Sequence, residues 1–175
     1  MKKFVLSIVL VAALLALTVG GLEAFSSYKA AEAINKNAPV QTVQTIIIHN
    51  SPDSIYKIMT DVNHWAKWNP DIQQPVLRSV FQKGKSFNWK SGGLTICSTI
   101  HTAIPGSKIG WSGPAFGSFA IHNWTFIPLP GGYTKVVVEE SMEGWLVSLL
   151  HKKFQNGLER SLQLWLKNLK GESEK

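Results

Sequence analysis

Three side chains in this sequence have the type and setting for acid–base chemistry: His122, Glu140 and Tyr56. Alternation along residues 116–128 puts His122, Trp124 and Phe126 on one strand face. A histidine among aromatics can orient a carbonyl or hydroxyl group, or exchange a proton near neutral pH. The structural alternative is a histidine hydrogen-bonded inside a core. Glu139 and Glu140 fall on opposite faces of a regular strand, and Glu140 shares the parity of Thr134, Val136 and Val138. An inward carboxylate needs a partner. His122 is a candidate, although the spacing alone does not bring the two together. A glutamate at a strand end reaching solvent is the alternative.

Other chemistries are poorly served. Cys97 and His101 share a strand face, but four residues of strand separate them by about 13 Å, which excludes a direct nucleophile–base dyad. Cys97, the single cysteine, reads as a small half-buried filler and rules out an intramolecular disulfide. The five histidines (49, 64, 101, 122 and 151) lack metal-ligand spacing, so no metal is expected. Asp53, Asp61 and Asp71 suit caps and turns. No nucleotide-binding glycine fingerprint and no nucleophile-elbow serine occurs, and no cofactor is expected.

The elements that must hold these residues follow from the pattern. Val40–His49 is rich in Val, Ile and Thr and predicts a strand. Ser51-Pro52-Asp53 is a helix start, with a capping hydroxyl, a proline for the first turn and an acid for the dipole. That helix runs to about Thr60 with Ile55, Ile58 and Met59 inward. A second short helix carries Trp65 and Trp68, ended by Asn69-Pro70-Asp71. Period-two segments then cover 72–81, 86–91, 94–104, 108–112, 116–129 and 133–142. The turn signals between them include Ser112-Gly113-Pro114 and Pro130-Gly131-Gly132, and short turns predict an antiparallel meander. From Gly144 to Lys170 apolar residues recur at helical spacing, with Gly157 inside the run, which predicts one long helix. Gly157 lowers helix propensity by about 1 kcal/mol against Ala, so a packing or cavity reason is expected for it. The fold class is α+β: a curved antiparallel sheet of about seven strands, two short helices after the first strand, and a long C-terminal helix lying in the sheet's grip.

Composition divides the chain in two. Residues 1–33 hold 22 of the 78 hydrophobic residues, whereas all seven Trp lie beyond residue 33. The division is therefore a leader at 1–33, a tether at 34–39, a domain at 40–170 and a tail at 171–175. A disordered chain and a polytopic membrane protein are both excluded. Lys2 and Lys3 precede an uncharged run of 19 residues from Phe4 to Leu22, about 28 Å as a helix and close to the hydrocarbon thickness of a bilayer. A secretory signal has a shorter apolar core and a nearby small-x-small site. Ala31-Glu32-Ala33 lies far beyond the run, and Leu22-Glu23-Ala24 starts with a bulky residue. The reading favours a retained single-pass anchor with the domain on the outer side, or a secreted domain if the leader is removed. Residues 23–39, with Ser26, Ser27, Asn35 and Asn37, read as the connecting tether. The net charge of +7 is scattered without a Lys/Arg stripe, so no nucleic-acid partner is expected. Nothing in the pattern sets the oligomeric state.

In this order of elements the sequence resembles the SRPBCC superfamily, the START-like helix-grip proteins, and more narrowly its bacterial polyketide cyclase/dehydrase-like branch. The resemblance is carried by Ser51-Pro52-Asp53-Ser54-Ile55-Tyr56, Thr60-Asp61-Val62 through Trp65, Trp68, Asn69 and Pro70, and Gly84-Lys85-Ser86-Phe87-Asn88-Trp89. It continues through Ser98-Thr99-Ile100, Ile109-Gly110-Trp111-Ser112-Gly113, Ala120–Phe126, Tyr133-Thr134-Lys135-Val136, Glu139-Glu140-Ser141 and Gly144. It covers about residues 40–170. Membership implies a hydrophobic ligand cavity but no single chemistry.

On that basis the face of His122, Trp124 and Phe126 looks into the cavity. Phe87, Trp89, Trp111, Leu150, Phe154 and Leu158 are further candidate wall residues, and ordinary core packing would use the same side chains. The expected partners are a hydrophobic small molecule or lipid, and the membrane through the leader. A cyclase- or dehydratase-like enzyme using His122 with Glu140 or Tyr56 is the competing expectation. An envelope-interaction domain with an exposed aromatic patch at Trp65 and Trp68 is the third.

Overall fold

Why the chain curls into a grip is visible in the size of its inward side chains. The computed structural model describes residues 2–26, 28 and 31–175; Ser27 of the expected tether, and the side chains of Lys2 and Lys3, lie outside the described residues. The elements are α1 (Lys2–Ala24), β1 (Val40–Ile48), α2 (Pro52–Thr60), a 3-10 turn (Val62–His64), α3 (Trp65–Trp68), β2 (Gln73–Val76), β3 (Ser86–Ser91), β4 (Leu94–Ile104), β5 (Lys108–Ala115), β6 (Ser118–Leu129), β7 (Tyr133–Glu143), α4 (Trp145–Leu149) and α5 (His151–Ser173). The strands form one antiparallel sheet in the order β1-β7-β6-β5-β4-β3-β2, and Leu158, Leu162, Trp165, Leu166 and Leu169 bury the inner stripe of α5. The start of α2 follows its sequence: the Ser51 hydroxyl accepts from the Ser54 N–H, with Pro52 in the first turn.

The two ends of the sheet differ. At one end lie the β1–α2 junction, the β4–β5 and β6–β7 turns and the C-terminus of α5. Inward residues there are large: Phe87, Ile100, Ile109, Trp111, Trp124, Phe126, Val136 and Val138, all buried. Trp65 sits at their centre with ring centroids 5.4 Å from Phe87, 5.4 Å from Trp111 and 5.3 Å from Trp165, its indole N–H donating to the Met59 carbonyl at 3.0 Å. At the other end lie the β3–β4 and β5–β6 turns, the end of β7 and α4. Inward residues there are mostly small, including Ser91, Ser98, Gly113, Ala115, Ser118 and Ala120, and α5 faces them with Gly157 and Ser161.

Several expectations are corrected. Ser112-Gly113-Pro114 is not a turn but the second half of β5, and the chain reverses at Phe116-Gly117. Gly113 is needed because a Cβ there would run into the backbone of Cys97 and Ser98 on β4. The strand expected over 72–81 is paired only over Gln73–Val76, with an irregular register and Gln74 at φ 49°. The Asn63 side chain ends it by bonding both the N–H and the C=O of Leu77. The single C-terminal helix is broken at Leu150 (φ −117°, ψ 33°). Here α4 is held to the β5–β6 turn by Leu146 N–H donating to the Gly117 carbonyl, while α5 turns down across the sheet; helix continues through the expected tail to Ser173. Trp65 is fully buried and Trp68 packs against the core, which removes the exposed aromatic patch. Cys97 is exposed rather than half-buried, because its strand position faces outward.

Of the residues expected to connect leader and domain, Glu32 and Asn35 lie against the outer face of the sheet, where Asn35 bonds Ser141 and Glu143, and Asn123 donates to the Glu32 carbonyl. Tyr28 stacks on Phe119 at 5.4 Å.

Candidate functional site

Small side chains at one end of the sheet, opposite Gly157 and Ser161, leave a cavity of about 490 Å³ between the sheet and α5. This lies within the usual range for small-molecule sites. Its walls are largely apolar: Trp89, Leu94, Ile96, Met142, Leu146, Leu150, Phe154, Leu158, Leu162 and Trp165. It opens between the β3–β4 turn and the start of α5, where Gly92, Leu150 and Lys153 are exposed.

At the inner end of this space stand His122 and Glu140. Both line the cavity and both are buried, and they are directly opposed across β6 and β7. His122 Nδ1 lies 2.8 Å from Glu140 Oε2. The geometry falls short of an aligned hydrogen bond, so the two groups stand in close polar contact, and neither atom has another hydrogen-bond partner among the described residues. The imidazole stacks on Trp111 at 5.3 Å and meets the Trp89 ring edge-on at 6.2 Å. With Nδ1 turned to Glu140, Nε2 is the nitrogen left for a ligand.

Other polar groups line the same space. Trp89 Nε1 donates to Ser98 Oγ at 3.0 Å, leaving the Ser98 hydroxyl proton free to donate. The indole N–H of Trp165 is buried and without a partner among the described residues. Buried donors of this kind are normally satisfied, so an acceptor from a ligand or water suits this site.

The sequence-derived candidates separate by their position along the strands. Trp89, His122, Glu140, Leu150, Phe154 and Leu158 line the cavity. Phe87, Trp111, Trp124 and Phe126 lie in the packed core beside it: Trp124 and Phe126 sit further from the open end than His122 on the same strand, while Trp111 and Phe87 stand opposite His122 and Ser98 at the boundary between cavity and core. Tyr56 also stays away from the wall: its ring packs edge-on against Phe126 at 6.5 Å, and burial pushes its hydroxyl pKa up. It is therefore not poised as a phenolate.

The opposition of His122 and Glu140 had a sequence signal. Pro130–Gly132 makes a three-residue connection closing on the Leu129–Tyr133 pair, and seven steps back along each strand reach these two residues. Ser98, Ala120 and Ser118 carry a weaker signal in sequence, smallness at inward positions near one end of β4 and β6.

This aromatic-floored space under a long helix can be set beside known proteins. A family model described as polyketide cyclase / dehydrase and lipid transport matches residues 39–174. The chain belongs to this family. Solved structures with the same fold include the hypothetical protein jhp0584 from Helicobacter pylori, at TM-score 0.71 and 16% identity, covering 84% of this chain and 99% of that one. A START superfamily protein from Mycobacterium smegmatis matches at TM-score 0.67 and 16% identity, covering 77% of this chain and 97% of that one. The Zhui aromatase/cyclase from Streptomyces sp. R1128 matches at TM-score 0.68 and 15% identity, over 77% of this chain and 93% of that one. At these identities the structural likeness concerns the helix-grip fold. Comparison with curated proteins found no match. Membership in the polyketide cyclase/dehydrase and lipid transport family supports a ligand-binding or cyclase domain.

Proposed function

We propose that this chain binds a hydrophobic small molecule or lipid carrying one polar group, in the cavity between the sheet and α5. The observation that carries this reading is a mostly apolar space of about 490 Å³, not filled by side chains, with the buried His122 and Glu140 facing each other at its inner end. The apolar walls supply affinity by removing ligand surface from water. His122 Nε2, the Ser98 hydroxyl and Trp165 Nε1 supply the few polar contacts that fix orientation. Binding is tested by titrating purified full-length protein with fatty acids, phospholipids and aromatic polyketide-like compounds while following the melting temperature. A saturable rise for at least one class supports the reading, and no shift for any of them counts against it.

The domain works, in this proposal, on the outer side of the cell membrane. α1 contains a 21-residue segment, Phe4–Ala24, long and apolar enough to cross a membrane, and it is exposed except in its last turns, where Glu23 meets the domain. The basic start keeps that end cytoplasmic. The mass of the mature protein tests this directly: an intact α1 supports a retained anchor, and a new start near Phe25 or Ile34 ends it.

A second reading is favoured by one observation, the opposition of His122 and Glu140. A carboxylate that holds an imidazole gives a general base or acid facing a bound substrate, as a cyclisation or dehydration would require. A His122→Asn variant that keeps ligand binding but loses turnover on an aromatic polyketide-like substrate supports it.

A further inference from the structure

The cavity mouth and the end of α1 lie at the same end of the sheet. The carboxylate of Glu23, near the end of α1, accepts from the Gly117 N–H in the β5–β6 turn and from Trp145 Nε1 at the start of α4, both at 3.0 Å. Gly117 (φ +65°) lets that turn meet α4 closely, since a Cβ there would sit 2.6 Å from the Leu146 Cβ. Leu146 and Leu150 belong to the cavity wall. The exit of the apolar helix is thus fastened to the rim of the cavity.

That rim exposes what a membrane surface would take. Leu149 is 71% exposed, Phe116 50% and Leu150 40%, and Phe25, just past α1, is 90% exposed. Phe116 meets Trp145 edge-on at 5.5 Å, which ties the β5–β6 turn to the helix that carries Leu149. Lys152 and Lys153 follow directly and are exposed. Apolar and aromatic side chains flanked by cations form the pattern of a segment seated at the headgroup boundary of an anionic bilayer. Glu23 is the one acidic side chain at this contact, and its Oε2 is turned onto the Gly117 and Trp145 N–H groups. At the opposite end of the sheet, α2, α3 and the aromatic core close the fold.

We propose that Phe116, Leu149 and Leu150, with Lys152 and Lys153, form a membrane-docking rim. It seats the cavity mouth in the headgroup layer of an anionic bilayer, so that the ligand passes between cavity and lipid without crossing water. This rests on the reading of α1 as a retained anchor. It further assigns the bilayer as the ligand's source or destination.

The test uses full-length protein in vesicles of phosphatidylglycerol and phosphatidylcholine. In a Cys97→Ser background, nitroxide labels are placed at Leu149→Cys, at Phe116→Cys and, as a control at the far end of the sheet, at Lys135→Cys. Collision rates with oxygen and with a water-soluble nickel chelate report depth. Labels at 149 and 116 are expected to gain oxygen and lose nickel collisions relative to 135. If all three are equally open to nickel while the mass shows α1 intact, the rim is overturned and the anchor stands. If the recovered protein lacks α1, the anchor reading fails, and the rim with it.

Discussion

His122 and Glu140 face each other across adjacent strands with Nδ1 2.8 Å from Oε2, both side chains buried and both on the cavity wall. Taking one member away leaves the other as an unpaired polar group in a largely apolar space. Glu140→Leu or His122→Phe alone should therefore cost about 3–5 kcal/mol of stability. The double variant should cost clearly less than the two singles summed, because no orphan group remains. Urea unfolding of the four proteins measures this, and additive losses would show that the two groups do not act as a pair.

Gly157 faces open space in the first half of α5: apart from its own helix backbone, no described heavy atom lies within 4 Å of where a Cβ would stand. Gly157→Ala should stabilise the protein by up to about 1 kcal/mol through helix propensity alone. Gly157→Phe should leave the fold intact and occupy the cavity, so that uptake of an apolar fluorescent dye falls. Dye binding compared with the unfolding midpoint separates the effects. Unchanged uptake in the Phe variant would place the dye elsewhere.

Trp65 joins α3 to the core through ring contacts with Phe87, Trp89, Trp111 and Trp165. Trp65→Ala should cost about 3–5 kcal/mol, the range for removing a large buried aromatic. A loss under about 1 kcal/mol, the size of a surface change, would contradict the packing described. Denaturation followed by near-ultraviolet circular dichroism reads both stability and the aromatic packing.

The extent to which this was legible in sequence depends on scale. Period-two patterning and turn residues gave most of the strands, and the capping triplet at Ser51 gave α2. Parity gave the inward face of His122 and Glu140. What parity does not carry is position along the strand, so Trp124 and Phe126 shared a face with His122 yet fell in the packed core beyond the cavity. Gly113 looked like a turn because a glycine required by a close strand approach and one required by a reversal look alike in sequence. The cover over the outer sheet face was illegible for another reason. It rests on isolated polar contacts such as Asn35 to Ser141 and Asn123 to the Glu32 carbonyl, which have no periodicity.

His101 lies on that outer face, and its pKa is lowered by burial, partly offset by the nearby Glu32 carboxylate; His122 and Lys108 lower it further. The folded state thus holds a proton there less well than the unfolded chain. The stabilisation from a neutral His101 is complete above the unfolded imidazole value of about 6.5 and is lost as pH falls from there towards the lower folded value. Stability of the wild type should decline over that interval, and His101→Gln should decline less. Melting temperature against pH for both proteins checks this, and identical slopes would remove His101 as a cause.

The central claim is that the space under α5 holds a hydrophobic ligand. Native mass spectrometry of full-length protein released gently from membranes tests it most directly, with Gly157→Phe prepared in parallel. The account predicts a bound species of lipid-like or small hydrophobic character on the wild type, recoverable by solvent extraction, and reduced or absent on the variant. Wild-type protein at its bare mass, still without a bound species after incubation with a lipid extract, would contradict it.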